Sequence, residues 1–158
     1  MPRDTHEFPE PFQPNIVFKE DVHLQEWIAL MRKYNNHQAY GSLMKVKRKT
    51  RRVFLIFPRP YMERSYCAIG VYLYEKANLG SLISVGAFKQ NDGIKLIMNE
   101  TGLTFDKINQ IISNNDSRHY SFNRLADDLE SILEKRRLAR WRSTISPSTS
   151  KLTETWAT

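Results

Sequence analysis

Leu24, Trp27, Ile28 and Met31 follow one another at the i, i+3, i+4, i+7 spacing of a helix face. Asp21 is a candidate N-cap and Asn35-Asn36 a stop, so the pattern predicts an amphipathic helix over about 21–34. From residue 41 the period becomes that of strands. Gly41–Lys47 and Arg52–Phe57 read as two strands joined by a turn that carries Lys47 to Arg52, the second stopped by Pro58 and Pro60. In Tyr66–Tyr74, Ile69, Val71 and Leu73 alternate with Ala68, Gly70, Tyr72 and Tyr74, which predicts a strand with one aliphatic and one tyrosine-bearing face. Ser81–Phe88 reads as a further strand, and Asn91-Asp92-Gly93 as a tight turn before a last one, Ile94–Met98.

The period then returns to that of a helix. Thr104 can cap a segment bearing Phe105, Ile108, Ile111 and Ile112, which Asn114-Asn115-Asp116 ends. Ser121 can cap a longer one carrying Leu125, Leu129, Ile132 and Leu133, with Asp127, Asp128 and Glu130 early and Lys135 to Arg142 late, in agreement with the helix dipole. The expected fold class is α+β: an N-terminal helix, an antiparallel sheet of four or five strands and two C-terminal helices. Around this single domain, residues 19–142, lie two ends of different composition. Pro2, Pro9, Pro11 and Pro14 make residues 1–18 an extended proline-rich arm, although Phe8, Phe12, Ile16 and Phe18 are costly to leave in water. Residues 143–158 read as a disordered Ser/Thr-rich tail, with Ser146-Pro147 as a candidate phosphorylation site.

Composition narrows the class. A chain of 158 residues with 41% apolar content builds one ordinary core, and 11% aromatic residues is too many for a disordered chain. The longest apolar runs fall far short of the roughly 18–20 residues that span a bilayer, and the opening lacks a signal peptide's apolar region. The expectation is an intracellular protein of nucleus or cytoplasm, neither secreted nor transmembrane. The single cysteine, Cys67, makes no internal disulfide and fits a reducing compartment.

Charge changes the picture more. The net +7 is uneven: −2 over residues 1–40, +7 over 41–76, −3 over 77–134 and +5 over 135–158. Lys45-Val-Lys-Arg-Lys-Thr-Arg-Arg52 has six cations in eight positions, and Lys135-Arg-Arg-Leu-Ala-Arg-Trp-Arg142 has five. Cations this dense repel one another unless an anion is near, although a solvated turn and a favourable helix end account for part of them. Lys47–Arg52 also has the composition of a nuclear localisation sequence.

Catalytic chemistry finds little support. His6, His23, His37 and His119 have no second ligand at metal-binding spacing, Cys67 sits at the start of an apolar strand, Asp127-Asp128 lies in a helical first turn, and the six glycines form no phosphate loop. No enzyme activity, cofactor or metal is expected. Phosphates need cations and bases need flat faces, and here the two interleave. The candidate nucleic-acid-binding residues are Lys45, Lys47, Arg48, Lys49, Arg51 and Arg52 in the basic turn, then Arg59, Tyr61 and Arg64 after it. Tyr72 on the tyrosine face of the next strand joins them, as do Arg136, Arg137 and Arg140 on the last helix. Of the aromatics, Phe54 or Phe57 and one of Tyr72 and Tyr74 are expected to be core.

A sheet with basic turns, closed by Gly93-Ile-Lys-Leu-Ile-Met98 and running into the helix from Thr104, resembles the single-stranded DNA-binding domain of the positive-cofactor-type transcriptional coactivators and their Whirly relatives. The resemblance covers about residues 41–113 and implies a homodimer packed through the helix face of Ile108, Ile111 and Ile112, with Lys45, Lys47, Arg48, Lys49, Arg51 and Arg52 as its basic strand-turn residues. The chain departs from that pattern in Pro58 and Pro60, in the leading helix and in the second long C-terminal helix. Two functional readings stand. One is a single-stranded DNA- or RNA-binding protein of transcription, replication or RNA handling, without a small-molecule substrate. The other is a viral matrix-like or accessory structural protein whose basic patches meet an anionic membrane or a nucleoprotein, for which the helix end with Trp141 is the best support.

Overall fold

A computed structural model of the chain describes residues 17–53, 57–79 and 90–145. In chain order these form α1 (Lys19–Lys33), a short 3-10 turn (Asn35–His37), β1 (Met44–Val53), β2 (Phe57–Tyr66), α2 (Ala68–Glu75), α3 (Gln90–Thr101), α4 (Phe105–Asp116) and α5 (Phe122–Ile145). The chain is α+β as expected, but among the described residues the sheet has two antiparallel strands in place of the expected four or five.

The difference lies in two segments. Tyr66–Tyr74, expected as a strand, is mostly the helix α2, and Ile94–Met98, expected as the closing strand of a hairpin, lies inside α3. Its expected partner, residues 81–88, falls outside the described residues. In α2 every residue from Ala68 to Leu73 is buried. A helix apolar all round shows no 3.6-residue stripe, so its β-branched and aromatic content read as strand. Cys67 opens it as an N-cap, with Sγ accepting from Gly70 N at 3.3 Å. Burial pushes the Cys67 thiol up to about 11, leaving it protonated and unreactive at neutral pH.

The other helices follow their apolar spacing. α1 starts two residues earlier than expected, with Phe18 at the N-cap position, and Asp21 is a buried residue of the first turn. Thr104 does cap α4, accepting from Lys107 N at 3.3 Å, and Ser121 Oγ accepts from Arg124 N at 3.2 Å at the start of α5. α5 runs on to Ile145, three residues into the segment expected to be tail. Gly102, at φ +66°, ends α3 with its N–H on Met98 O at 2.9 Å, a left-handed position that favours glycine.

The helices share one core, in which α1 packs against α2, α3 and α5. α1 contributes Leu24, Trp27, Ile28 and Met31, α3 Ile94 and Ile97, α4 Ile108 and Ile111, and α5 Leu125, Leu129 and Leu133. Trp27 is fully buried; its Nε1 donates to Ala68 O at 2.9 Å and its ring meets Tyr72 edge-on at 5.6 Å. α1 and α5 run antiparallel, since Asp21 meets Arg136 and Arg140 late in α5 while Arg32 meets Asp127 and Glu130 early in it.

β1 and β2 form a ribbon paired from Met44 opposite Tyr66 to Val53 opposite Phe57. The expected turn at Lys47–Arg52 is therefore the middle of β1, and Pro58 and Pro60 lie within β2. Two prolines two residues apart leave their missing N–H groups on one edge, and among the described residues no third strand lies there to need them. The base of the ribbon is held by Ala39 N on Tyr66 O at 2.7 Å and Cys67 N on Leu43 O at 3.2 Å. A polar clamp reinforces it: Gln38 Nε2 donates to Asn115 Oδ1 and Tyr120 O, both at 2.7 Å, Asn115 Nδ2 donates to Ala39 O at 3.1 Å, and Gly41 N to Asp116 Oδ1 at 3.0 Å. Beyond the base, every side chain from Lys45 to Arg52 and from Phe57 to Met62 is exposed. Ten-residue strands at ~3.4 Å per residue make an arm about 30 Å long.

Candidate nucleic-acid interface

Between Met44 and Tyr66 the sequence holds eight cations and one acid, Glu63. The register sorts them, because residues directly opposite in an antiparallel pair share a face and neighbours along a strand alternate. One face carries Lys45, Lys47, Lys49 and Arg51 from β1 and Arg59 from β2, together with the rings of Tyr61 and Phe57. The other carries Arg48, Arg52 and Arg64 among Val46, Thr50, Pro58, Pro60 and Met62. Phe57 is 70% exposed and Tyr61 44%, so both rings of the five-cation face are open to solvent. Phe57 is thus no core residue, and Phe54 lies outside the described residues.

Two cross-strand relations define the electrostatics of the five-cation face. Arg51 stands directly opposite Arg59, a like-charge pair that costs stability. Glu63 stands opposite Lys47 and is ion-paired diagonally with Lys49. The Lys49 hydrogen bond holds the Glu63 carboxyl below its ordinary range, and the same bond raises the Lys49 ammonium, so both are charged at neutral pH. His37 Nδ1 lies 3.9 Å from Glu63 on the side of the ribbon base.

The remaining expected site residues divide. Tyr72 is corrected: it is fully buried in α2, hydrogen-bonded to Glu100, and burial raises its phenol, so it cannot stack on a base. Tyr74 is half-buried, with its ring tilted against Tyr66 at 5.5 Å. The tyrosine-bearing sheet face therefore does not exist among the described residues. Arg136 donates to Thr101 O at 2.7 Å and lies 3.9 Å from Asp21, and Arg140 bonds Asp21 and stacks on the Phe18 ring at 3.6 Å. Both are committed within the fold. Arg137 is exposed, with a 3.4 Å contact to Gln25.

The basic end of α5 also lies away from the ribbon base. Phe122 N, at the start of α5, donates to Gln38 Oε1 beside the ribbon base, whereas Arg140 is eighteen residues further along that helix, about 27 Å away at ~1.5 Å per residue. The structure thus brings Lys45, Lys47, Lys49, Arg51, Arg59 and Tyr61 together on one face of the ribbon and places Arg136, Arg137 and Arg140 on another element. Glu63 and Phe57 belong to the same face and were not among the expected site residues. Their signal was the i, i+2 spacing of Lys45, Lys47, Lys49 and Arg51, which marks a strand where the density of charge suggested a turn.

Gly93–Met98, the expected strand on which the coactivator-like resemblance rested, is helical, so the sheet-into-helix order behind it is absent from the described residues. Among the described residues no helix is long and apolar enough to cross a membrane. Comparison with protein-family models, curated proteins and solved structures finds no match, which leaves the geometry and charge of the ribbon as the grounds for a functional reading.

Proposed function

We propose that this chain binds nucleic acid through the β1–β2 ribbon, with an unpaired DNA or RNA strand as the preferred form. The observation that carries the reading is an exposed two-stranded arm with eight cations against one acid. Lysines on an edge strand discourage aggregation, and that role would account for a few of them. It does not account for Arg51 opposite Arg59, a repulsion that bound phosphate would relieve. Stacking on an exposed ring contributes ~1–3 kcal/mol per base, and each phosphate neutralised adds a salt-dependent increment, so Phe57, Tyr61 and several cations suffice for useful affinity without sequence readout.

Replacing Lys47, Arg48, Lys49, Arg51 and Arg52 together by Gln is expected to abolish oligonucleotide binding with the melting temperature unchanged, because none of these side chains is buried. For the unaltered chain, the affinity for a labelled single strand should fall with salt on a log–log slope of about −3 to −4, some 0.7 per phosphate neutralised. Equal affinity in the five-residue variant rejects the arm as the interface. A second reading rests on α5, where Leu138 and Trp141 are 54% and 57% exposed beside Arg137 and Arg142, a composition suited to an anionic membrane surface. Anionic vesicles titrated in parallel separate the two, since tighter binding to vesicles than to oligonucleotide favours the second.

A further inference from the structure

Resting on the reading of the ribbon as a nucleic-acid arm, we propose that an unpaired polynucleotide runs along one face of it, with phosphates on Lys45, Lys47, Arg51 and Arg59 and bases against Phe57 and Tyr61, and that Glu63 limits affinity by holding Lys49.

The register alone makes the two faces unequal. Lys45, Lys47, Lys49 and Arg51 occupy alternate positions of β1, so their side chains emerge on one side about 7 Å apart, two rises of ~3.4 Å. That interval matches successive phosphates of an extended, unstacked strand, and the row covers about 20 Å. Duplex DNA presents a charge every ~1.7 Å of axis from two strands that wind away from a straight row, so the row fits it less well. The rings add a second condition: Phe57 and Tyr61, four residues apart on β2, are on this same side, where bases turned away from the phosphate row meet them. The opposite side pairs its three arginines with valine, prolines and methionine and, among the described residues, offers no exposed ring.

Glu63 is the exception on the charged side. As the one acid between Met44 and Tyr66 it stands opposite Lys47 and binds Lys49, which removes a cation from the middle of the row and sets a negative charge where a phosphate would pass. Without it, the row runs uninterrupted from Lys45 to Arg51.

The test compares two triple variants of equal net charge, and two further variants, in the full chain by anisotropy of a labelled oligothymidine at several salt concentrations, with circular dichroism confirming the fold. Lys45→Gln/Lys47→Gln/Arg51→Gln is expected to weaken binding at least tenfold and to flatten the salt slope by about 2, some 0.7 for each phosphate left without its cation. Arg48→Gln/Arg52→Gln/Arg64→Gln removes the same charge from the other side and is expected to weaken it less than threefold. Phe57→Ala/Tyr61→Ala should weaken binding with the slope retained, and Glu63→Gln should tighten it severalfold and steepen the slope. Equal losses in the two triple variants overturn the one-sided track while leaving the arm as the interface. An unchanged or weaker affinity in Glu63→Gln overturns the role given to that residue. If the unaltered chain binds no oligonucleotide at low salt, the functional reading falls and the track with it.

Discussion

Two stretches of this chain look alike as strings of letters, Lys45–Arg52 with six cations in eight positions and Lys135–Arg142 with five, and the fold uses them in opposite ways. On the ribbon, the cations are exposed, and Lys49 forms an ion pair with Glu63. On α5, Arg140 and Arg136 reach the buried Asp21, and Arg136 also covers the carbonyl of Thr101 at the end of α3. The first set contributes little to stability and is available to a partner. In the second, Arg136 and Arg140 close α1, α3 and α5 against one another, while Lys135, Arg137 and Arg142 are exposed. Charge density in a sequence does not separate these cases, because the acids and carbonyls that neutralise α5 are more than a hundred residues away or in another element.

The contrast can be tested from its strongest consequence downward. Trp27 anchors α1 to α2, which directly follows the ribbon, so Trp27→Ala is expected to cost about 3–5 kcal/mol and to unfold body and arm together, seen as one thermal transition at a lowered midpoint by circular dichroism. A variant melting like the parent would show that the packing of α1 on α2 is not what supports the arm. At the junction itself, a Cβ on Gly70 would lie 1.8 Å from Leu43 O, so Gly70→Ala must displace the backbone where the ribbon leaves the body. Its cost should reach or exceed the ~3 kcal/mol at the upper end of ordinary overpacking, measured by urea denaturation.

Arg140→Gln compares the two basic regions directly. It strips the buried Asp21 of its hydrogen-bonded cation and is expected to cost about 1–3 kcal/mol, whereas Arg52→Gln on the ribbon should change stability by less than ~0.5 kcal/mol. Equal costs in paired denaturation curves would erase the distinction. The smallest effect is in pH. Burial, and next the Lys76 ammonium that donates to its Nδ1, hold the His23 imidazole below its ordinary 6.5. Between 6.5 and that lowered value the unfolded chain binds the proton first, so stability is full above 6.5 and declines as the pH falls through the window. The melting temperature should drop more between pH 7.5 and 5.5 for the parent than for His23→Gln, and a parallel decline in both would assign the loss to other groups.

Much of the helical body was legible in the chain. The spacings of Leu24 to Met31, of Ile108 to Ile111 and of Leu125 to Leu133 each mark a helix with one buried face, and each is so. α2 was not legible, since burial on all sides removes the polar half of the pattern on which such a reading depends. α3 was misread because Asn91-Asp92-Gly93, a strong turn signal, here falls in its first turn with Gly93 buried. The candidate site was half legible. Its cations are evident in the sequence, but the alternation over Ala68–Tyr74 points Tyr72 to a surface that α2 does not present, and Glu63 has no local signal because its partner Lys49 is a neighbour only across the ribbon.

By itself the sequence determined composition and local period: a basic chain with one core, amphipathic helices at fixed places, and two dense runs of positive charge. The tertiary structure decided which of their cations are held within the fold and which face solvent. A cation's availability depends on what lies within a few ångströms of it, and Asp21 comes beside Arg140, and Glu63 beside Lys49, only when α1 packs on α5 and β1 pairs with β2.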